Sequence, residues 1–235
     1  MLSKRNTVYL TAPINALVEG YYVDNITVAQ IKERGNFGLG TFNYLDGEMV
    51  FLDGEVYQIR SDGRVYTVED KEQTPFACVT FFNPDTLDDI LGTDYKDIAH
   101  LLDNLLPSKN MLYAIRIDGV FNHVKTRAVP KSENYKPLVE VTKNQPIFDL
   151  YDVEGSLVGF YTPAFMESLS APGYHLHFIS SDRKQGGHLI GCDIHKTSIG
   201  IQHVPELSLR LPVTLDFLTA DLSRDISKDL DMAEK

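Results

Sequence analysis

Short apolar runs separated by Asp-Gly steps dominate residues 37–68. Three turns divide this segment into four strand-like runs: Asp46-Gly47, Asp53-Gly54 and Ser61-Asp62-Gly63. Asp-Gly between alternating apolar runs is a strong hairpin signal, because both residues tolerate the positive φ angles of tight turns. The segment is therefore predicted to be an antiparallel meander, and the apolar run at residues 76–82 predicts a further strand.

Helical spacing of apolar side chains occurs elsewhere in the first half. It predicts a helix over residues 25–34 and a helical segment over residues 84–106, the latter ended by Pro107. Residues 111–117 and 120–129 then predict two strands joined by a turn at Asp118-Gly119.

A polar segment with three prolines, residues 131–146, separates two β-rich halves. The Gly, acid and apolar pattern of residues 152–161 echoes residues 42–51, which suggests a diverged internal duplication. The predicted fold class is α+β (mixed α/β). An N-terminal β-sheet subdomain with helices would occupy residues 1–146, and a C-terminal β subdomain residues 147–235.

Composition restricts the class of partner. The chain has 235 residues, of which 43% are hydrophobic, and its net charge of −11 argues against a nucleic-acid or membrane-surface partner. No apolar run of about 18 residues is present, and no signal-peptide core is visible. Cys78 and Cys192 are too few for a disulfide framework. We therefore expect a cytoplasmic enzyme or binding protein.

The segment from Gly173 to His188 carries the clearest chemistry. His175 and His177 would point to one face of a strand, while Leu176 and Phe178 point to the other. Polar and glycine-rich residues 180–187 predict a turn, after which His188 begins another apolar run. In a hairpin, His188 returns beside the two earlier imidazoles. Three neutral imidazoles form the ligand set of an open catalytic zinc site, although copper, iron or nickel also suit them.

Eight segments, in order along about residues 33–217, resemble bacterial alpha-acetolactate decarboxylases. They are FGLGTFNYLDGEMVFLDGEVYQIRSDG, PFACVTFF, NMLYAIRIDGVF, VKTR, QPIF, GFYTP, GYHLHFISSDRKQGGH and LRLP. The resemblance implies that His175, His177 and His188 bind Zn²⁺, and that the metal site lies in the second half near the subdomain interface. It also suggests a homodimer.

The same resemblance implies three further active-site residues. They are Glu48 in the first Leu-Asp-Gly-Glu, Arg127, and Glu234 in a C-terminal tail that returns to the active site. Glu55 competes with Glu48 because it ends an identical tetrapeptide, and Asp231 or Asp229 could replace Glu234 after a shift in the alignment. Composition alone predicts that the acidic tail, residues 215–235, is a solvated end.

The implied reaction is decarboxylation of 2-acetolactate (2-hydroxy-2-methyl-3-oxobutanoate) to (R)-acetoin and CO2. A metal-stabilised enediolate would be protonated by a glutamic acid, and Arg127 would pair with the substrate carboxylate. We nominate Glu234 as the proton donor and Glu48 as proton shuttle or base, and the two roles could be exchanged. No pyridoxal or thiamine cofactor is required, and no motif for either is visible.

Other classes of protein can use the same three histidines. A cupin-like metal oxygenase would add a glutamate a few residues after His177, and residues 178–186 contain none. A metal-dependent hydrolase would pair the metal with a glutamate base. A binding protein with a structural metal would close the site with a fourth protein ligand.

Overall fold

The computed structural model describes residues 6–95, 98–133 and 135–234, without the side chains of residues 91–95, 231 and 234. The strands are β1 (Thr7–Leu10), β2 (Phe37–Thr41), β3 (Glu48–Leu52), β4 (Glu55–Ile59), β5 (Val65–Thr67), β6 (Ala77–Thr80), β7 (Thr86–Tyr95), β8 (Leu112–Arg127), β9 (Ile147–Thr162), β10 (Gly173–Ser180), β11 (Gly186–Val204) and β12 (Glu206–Leu209). The helices are α1 (Ile14–Val18), α2 (Val28–Lys32), α3 (Ile98–Leu105), α4 (Leu138–Thr142), α5 (Leu215–Thr219) and α6 (Ser227–Glu234).

The strands form two sheets, so the predicted α+β class is confirmed. The first is a mixed seven-stranded sheet in the order β12-β1-β6-β2-β3-β4-β5, in which only β1 and β12 are parallel. It contains the predicted meander as β2 to β5. The second is an antiparallel five-stranded sheet in the order β10-β9-β8-β11-β7. Its strand β10 also pairs with the start of β11, which closes a ring of pairings β10-β9-β8-β11.

The main hydrophobic core joins the two sheets and the helices. Val50 of the first sheet and Phe160 of the second belong to one buried cluster, which Leu230 of α6 also enters. A second cluster packs α3 against the five-stranded sheet and contains Leu176 and Phe178, the side chains predicted to face away from the histidines. The alternation along β10 therefore places Leu176 and Phe178 on one face of the strand and the two histidines on the other, as the apolar pattern predicts.

The change of sheet does not coincide with the domain boundary predicted at residue 146. Strands β7 and β8 precede that residue and lie in the second sheet, whereas β12 follows it and lies in the first. The proline-containing segment is a connection between two paired strands, β8 and β9, and it contains α4. Composition identified a polar connection but not which strands it joins, because strand pairing is a long-range property.

Two local predictions were wrong. Residues 86–95 form the edge strand β7 instead of a helix, because they pair with β11 over most of their length. Asp118-Gly119 is no turn, since β8 runs through it while pairing with β9 and β11. A Cβ on Gly119 would lie 2.1 Å from the carbonyl oxygen of Lys196, so glycine here allows close approach of β11.

Gly159→Ala is expected to destabilise the protein by about 3 kcal/mol, near the upper end of typical overpacking costs. A Cβ on this residue of β9 would lie 2.0 Å from the backbone oxygen of His175 on β10. The three nearest atoms all belong to the backbone of His175 and Leu176, so there is no flexible side chain to move aside. Gly191→Ala is the matched control, because nothing lies within 4 Å of a Cβ there. Denaturant unfolding measures both free energies, and equal stabilities for the two variants would contradict the prediction.

Candidate active site

The three predicted histidines meet at the hairpin of β10 and β11. His177 pairs directly with His188 across the two strands, and His175 lies two residues along the same face of β10. One ligand atom from each residue lies within 4.8 Å of the others. All three side chains are buried. The ring of pairings therefore places three imidazoles together inside the protein.

The electrostatics around His175 and His177 favour neutral imidazoles. Burial, together with the positive charge of Arg127 nearby, lowers the pKa of His175 to about 3. Burial and the neighbouring His175 also lower the pKa of His177 well below its ordinary value, against an opposing hydrogen bond with Met49. Neutral rings retain the nitrogen lone pairs that a metal ion needs.

A backbone contact from the first sheet orients the central ring. The Nδ1 atom of His177 lies 2.8 Å from the carbonyl oxygen of Met49 on β3. Because a carbonyl only accepts, Nδ1 carries the proton, and the lone pair of Nε2 points into the cluster. The Nε2 atoms of His175 and His177 are 3.3 Å apart. Such support of the distal ring nitrogen is typical of histidines that ligate metals.

Glu48 lies beside this cluster, whereas Glu55 does not. Glu48 begins β3, is buried, and accepts a hydrogen bond at 3.0 Å from the backbone N–H of Val129 through Oε1. Its Oε2 atom is 3.6 Å from Nε2 of His177. Glu55 begins β4 at the opposite end of the β3–β4 hairpin and is exposed. The two identical tetrapeptides therefore place their glutamates in different environments.

Arg127 ends β8 and lies between the two strands that flank it. It pairs with His188 of β11 and with Ile147 of β9, and its side chain is buried. Its Nη2 atom is 3.1 Å from Nε2 of His188 and donates a hydrogen bond to the carbonyl oxygen of Ala233. A buried guanidinium thus borders the histidine cluster.

The last part of the acidic tail folds back onto the site, whereas residues 215–225 remain exposed or half-buried. Helix α6 buries Leu230 and Ala233, and Ile226 directly before the helix is buried as well. The carbonyl of Ala233 contacts Arg127. The side chain of Glu234 lies outside the described residues, as does that of Asp231. Asp229 forms an ion pair at 2.7 Å with Arg224, which also pairs with Glu19 at 2.6 Å.

A cavity in front of the histidines combines an apolar wall with the polar groups of the site. Residues from α1, the meander, the segment directly before β6 and α4 contribute to its wall: Ile14, Leu17, Leu45, Phe76 and Leu138. Thr41 and Gln145 add polar groups that the sequence analysis did not single out. Gln145 begins the QPIF segment directly before β9, and membership of this segment was the feature of the sequence that could have indicated a role for Gln145. This small, largely apolar cavity suits a compact ligand with methyl groups and a few oxygens.

The fold and the site define an α+β protein with a buried three-histidine group that can hold a metal ion. Among the described residues, no helix is long and apolar enough to span a membrane. A family model described as alpha-acetolactate decarboxylase matches residues 8–224. The chain therefore belongs to the alpha-acetolactate decarboxylase family, and it is an enzyme of the carboxy-lyase class.

Individual relatives agree with this assignment. The alpha-acetolactate decarboxylase of Bacillus licheniformis is 40% identical over 230 residues, which cover 97% of this chain and 91% of the relative. The alpha-acetolactate decarboxylase of Methanosarcina mazei is 38% identical over 232 residues, which cover 98% of this chain and 81% of the relative. The crystal structure of the Bacillus subtilis strain 168 enzyme superimposes with a TM-score of 0.93 at 40% identity, covering 97% of this chain and 99% of that one.

Proposed function

We propose that the protein decarboxylates 2-acetolactate to (R)-acetoin and CO2, with Zn²⁺ held by His175, His177 and His188. The observation that carries this proposal is the convergence of three ligand atoms within 4.8 Å in a buried cavity. Three neutral imidazoles fit zinc, and they leave coordination positions for substrate oxygens. The names of the relatives support acetolactate as the substrate.

A bound zinc ion supplies a Lewis acid for the negative charge that develops on the substrate oxygens. Arg127 binds the carboxylate, because its planar guanidinium matches two carboxylate oxygens. When the bond between C2 and the carboxylate breaks, its electron pair delocalises into the neighbouring ketone as an enediolate. The apolar wall from α1 and α4 excludes bulk water from this charge.

Two glutamates handle the protons in this proposal. The backbone N–H of Val129 holds one oxygen of Glu48, and the other oxygen faces the histidine cluster. Glu48 thus serves as shuttle or as base for the substrate hydroxyl. Glu234 delivers a proton to C2 from one side, which yields a single enantiomer. Its place at the end of α6, directly after the Ala233 that contacts Arg127, supports this role.

The first test is metal-dependent release of CO2 from acetolactate. Chelator-treated protein is expected to lose at least about 99% of its turnover and to regain it with stoichiometric zinc, because the Lewis acid is part of the reaction. Acetoin formation measured by chiral chromatography should give the R enantiomer. Full turnover by metal-free protein would contradict the zinc proposal. Oxygen uptake after iron loading, or ester hydrolysis without decarboxylation, would instead indicate the oxygenase or the hydrolase.

We also propose a cytoplasmic homodimer. Buried free thiols at Cys78 and Cys192 fit a reducing compartment. Four large apolar side chains of the segment 211–218 are more than half exposed: Leu211, Val213, Leu215 and Leu218. A second copy of the chain that covers this segment would remove them from water.

A further inference from the structure

Gln145 reaches Arg127 from the loop that connects α4 to β9. It stands two residues before Ile147, which pairs with Arg127. The next residue, Pro146, accepts a hydrogen bond at 3.3 Å from the backbone N–H of Ala128, which follows Arg127. The loop is therefore hydrogen-bonded to the end of β8 at the residue directly after Gln145. This bond limits the positions that the Gln145 amide can reach.

The amide of Gln145 faces the guanidinium, and hydrogen-bond chemistry assigns its oxygen to this contact. Oriented this way, the oxygen accepts hydrogen bonds from Nη1 of Arg127 at 2.9 Å and from Nε at 3.3 Å. The opposite orientation would place an NH2 group against the N–H donors of a cation, which is unfavourable. Because Nη2 donates to the carbonyl of Ala233, all three guanidinium nitrogens of Arg127 have a partner in the protein.

We propose that Gln145 is a positioning residue for carboxylate binding, which it performs by fixing the plane of the Arg127 guanidinium. Gln145 occupies one N–H of Nη1 and Ala233 one N–H of Nη2. In the proposed function the Nε2 lone pair of His188 belongs to the zinc ion, so the second N–H of each nitrogen stays available to a bidentate carboxylate in a fixed plane. The neutral amide adds no negative charge beside Arg127, whereas a carboxylate in its place would. The proposal rests on the proposed function, since it takes the acetolactate carboxylate as the ligand of Arg127.

The contact itself is tested without turnover. In proton–nitrogen NMR spectra, the Nε–H signal of Arg127, assigned by its loss in Arg127→Lys, is expected to exchange slowly with solvent. Gln145→Met removes the acceptor at similar size, so exchange should become at least about tenfold faster, as expected when a hydrogen bond of about 1.4 kcal/mol is lost. Gln145→Asn, which withdraws the oxygen by one methylene, should have the same effect. Unchanged exchange in both variants would overturn the contact.

Kinetics on the zinc-loaded enzyme tests the consequence. Gln145→Met should lower kcat/KM by about 10- to 100-fold, mainly through KM, since small misplacements of a binding group have effects of this order. Gln145→Glu should keep the Nε–H protected yet also raise KM, because it neutralises Arg127. The exposed neighbour Asn144 provides the control Asn144→Ala, which should change neither measurement.

The outcomes separate the two proposals. A wild-type enzyme that does not decarboxylate acetolactate would overturn the proposed function, while the NMR exchange rates would still decide the contact of Gln145. Normal KM in both Gln145→Met and Gln145→Glu would overturn the positioning role even if the NMR contact is present.

Discussion

His177→Ala is expected to abolish both metal binding and turnover. This ring is central to the cluster, because Nε2 lies 3.3 Å from His175 and 3.6 Å from Glu48 while Nδ1 contacts Met49. Loss of a group that merely supports a ligand weakens metal binding by about 10- to 100-fold, so loss of a ligand itself should weaken zinc binding by more than about 100-fold. The measurements are the zinc-to-protein ratio by emission spectroscopy and the release of CO2.

The controls separate metal loss from unfolding. His177 is almost fully buried, so its removal also leaves a cavity, with an expected cost of about 2–4 kcal/mol. His177→Gln fills most of this space and should also lose zinc. His100→Ala changes an exposed histidine of α3 and should retain zinc and turnover. Stoichiometric zinc together with normal turnover in both His177 variants would exclude this residue as a ligand.

The sequence predicts those parts of the site that depend on neighbours in the chain. An i, i+2 spacing on a strand fixes the common face of His175 and His177, and the glycine-rich turn returns His188 to them. The Asp-Gly steps predict the meander for the same reason. In each case the geometry is set by a few consecutive residues, so the local pattern is sufficient.

Features that depend on pairing between segments distant in sequence could not be predicted from local patterns. Residues 86–95 have a helical spacing but form a strand, because β11 offers backbone partners along their length. Glu48 and Glu55 share one tetrapeptide, and only the β3–β4 register separates their environments. Burial of α6 depends on a core built from both sheets, which the acidic composition of the tail conceals.

Arg127 shows how the two kinds of information combine. Alternation along its strand predicts that Arg127 shares a face with His123 and Lys125. It does not predict that Arg127 is buried while the other two side chains are half-buried. Burial follows from three segments that converge there: the hairpin start at His188, the loop carrying Gln145 and the end of α6. Each is distant in sequence. Pairing of β8 with β11 and β9 brings the first two to Arg127, and packing of α6 on the core brings the third.

Glu48→Gln is expected to retain zinc and the fold while it loses turnover by about 10²- to 10⁴-fold, the usual contribution of a proton-transfer group. The glutamine oxygen can still accept the N–H of Val129, so the free energy of unfolding should change by less than about 1 kcal/mol. The substitution removes the carboxyl group that can exchange a proton beside His177. The measurements are zinc content, thermal unfolding and single-turnover CO2 release.

Glu55→Gln is the matched control, because it changes the same tetrapeptide at an exposed position and should behave as wild type. Glu234→Gln, measured in parallel, tests the proposed donor. Normal turnover in Glu48→Gln would remove this residue from the mechanism without affecting the metal site. Comparison of His177→Ala with Glu48→Gln distinguishes two functions. Loss of both zinc and turnover identifies a metal ligand, whereas loss of turnover with zinc retained identifies a proton-transfer group.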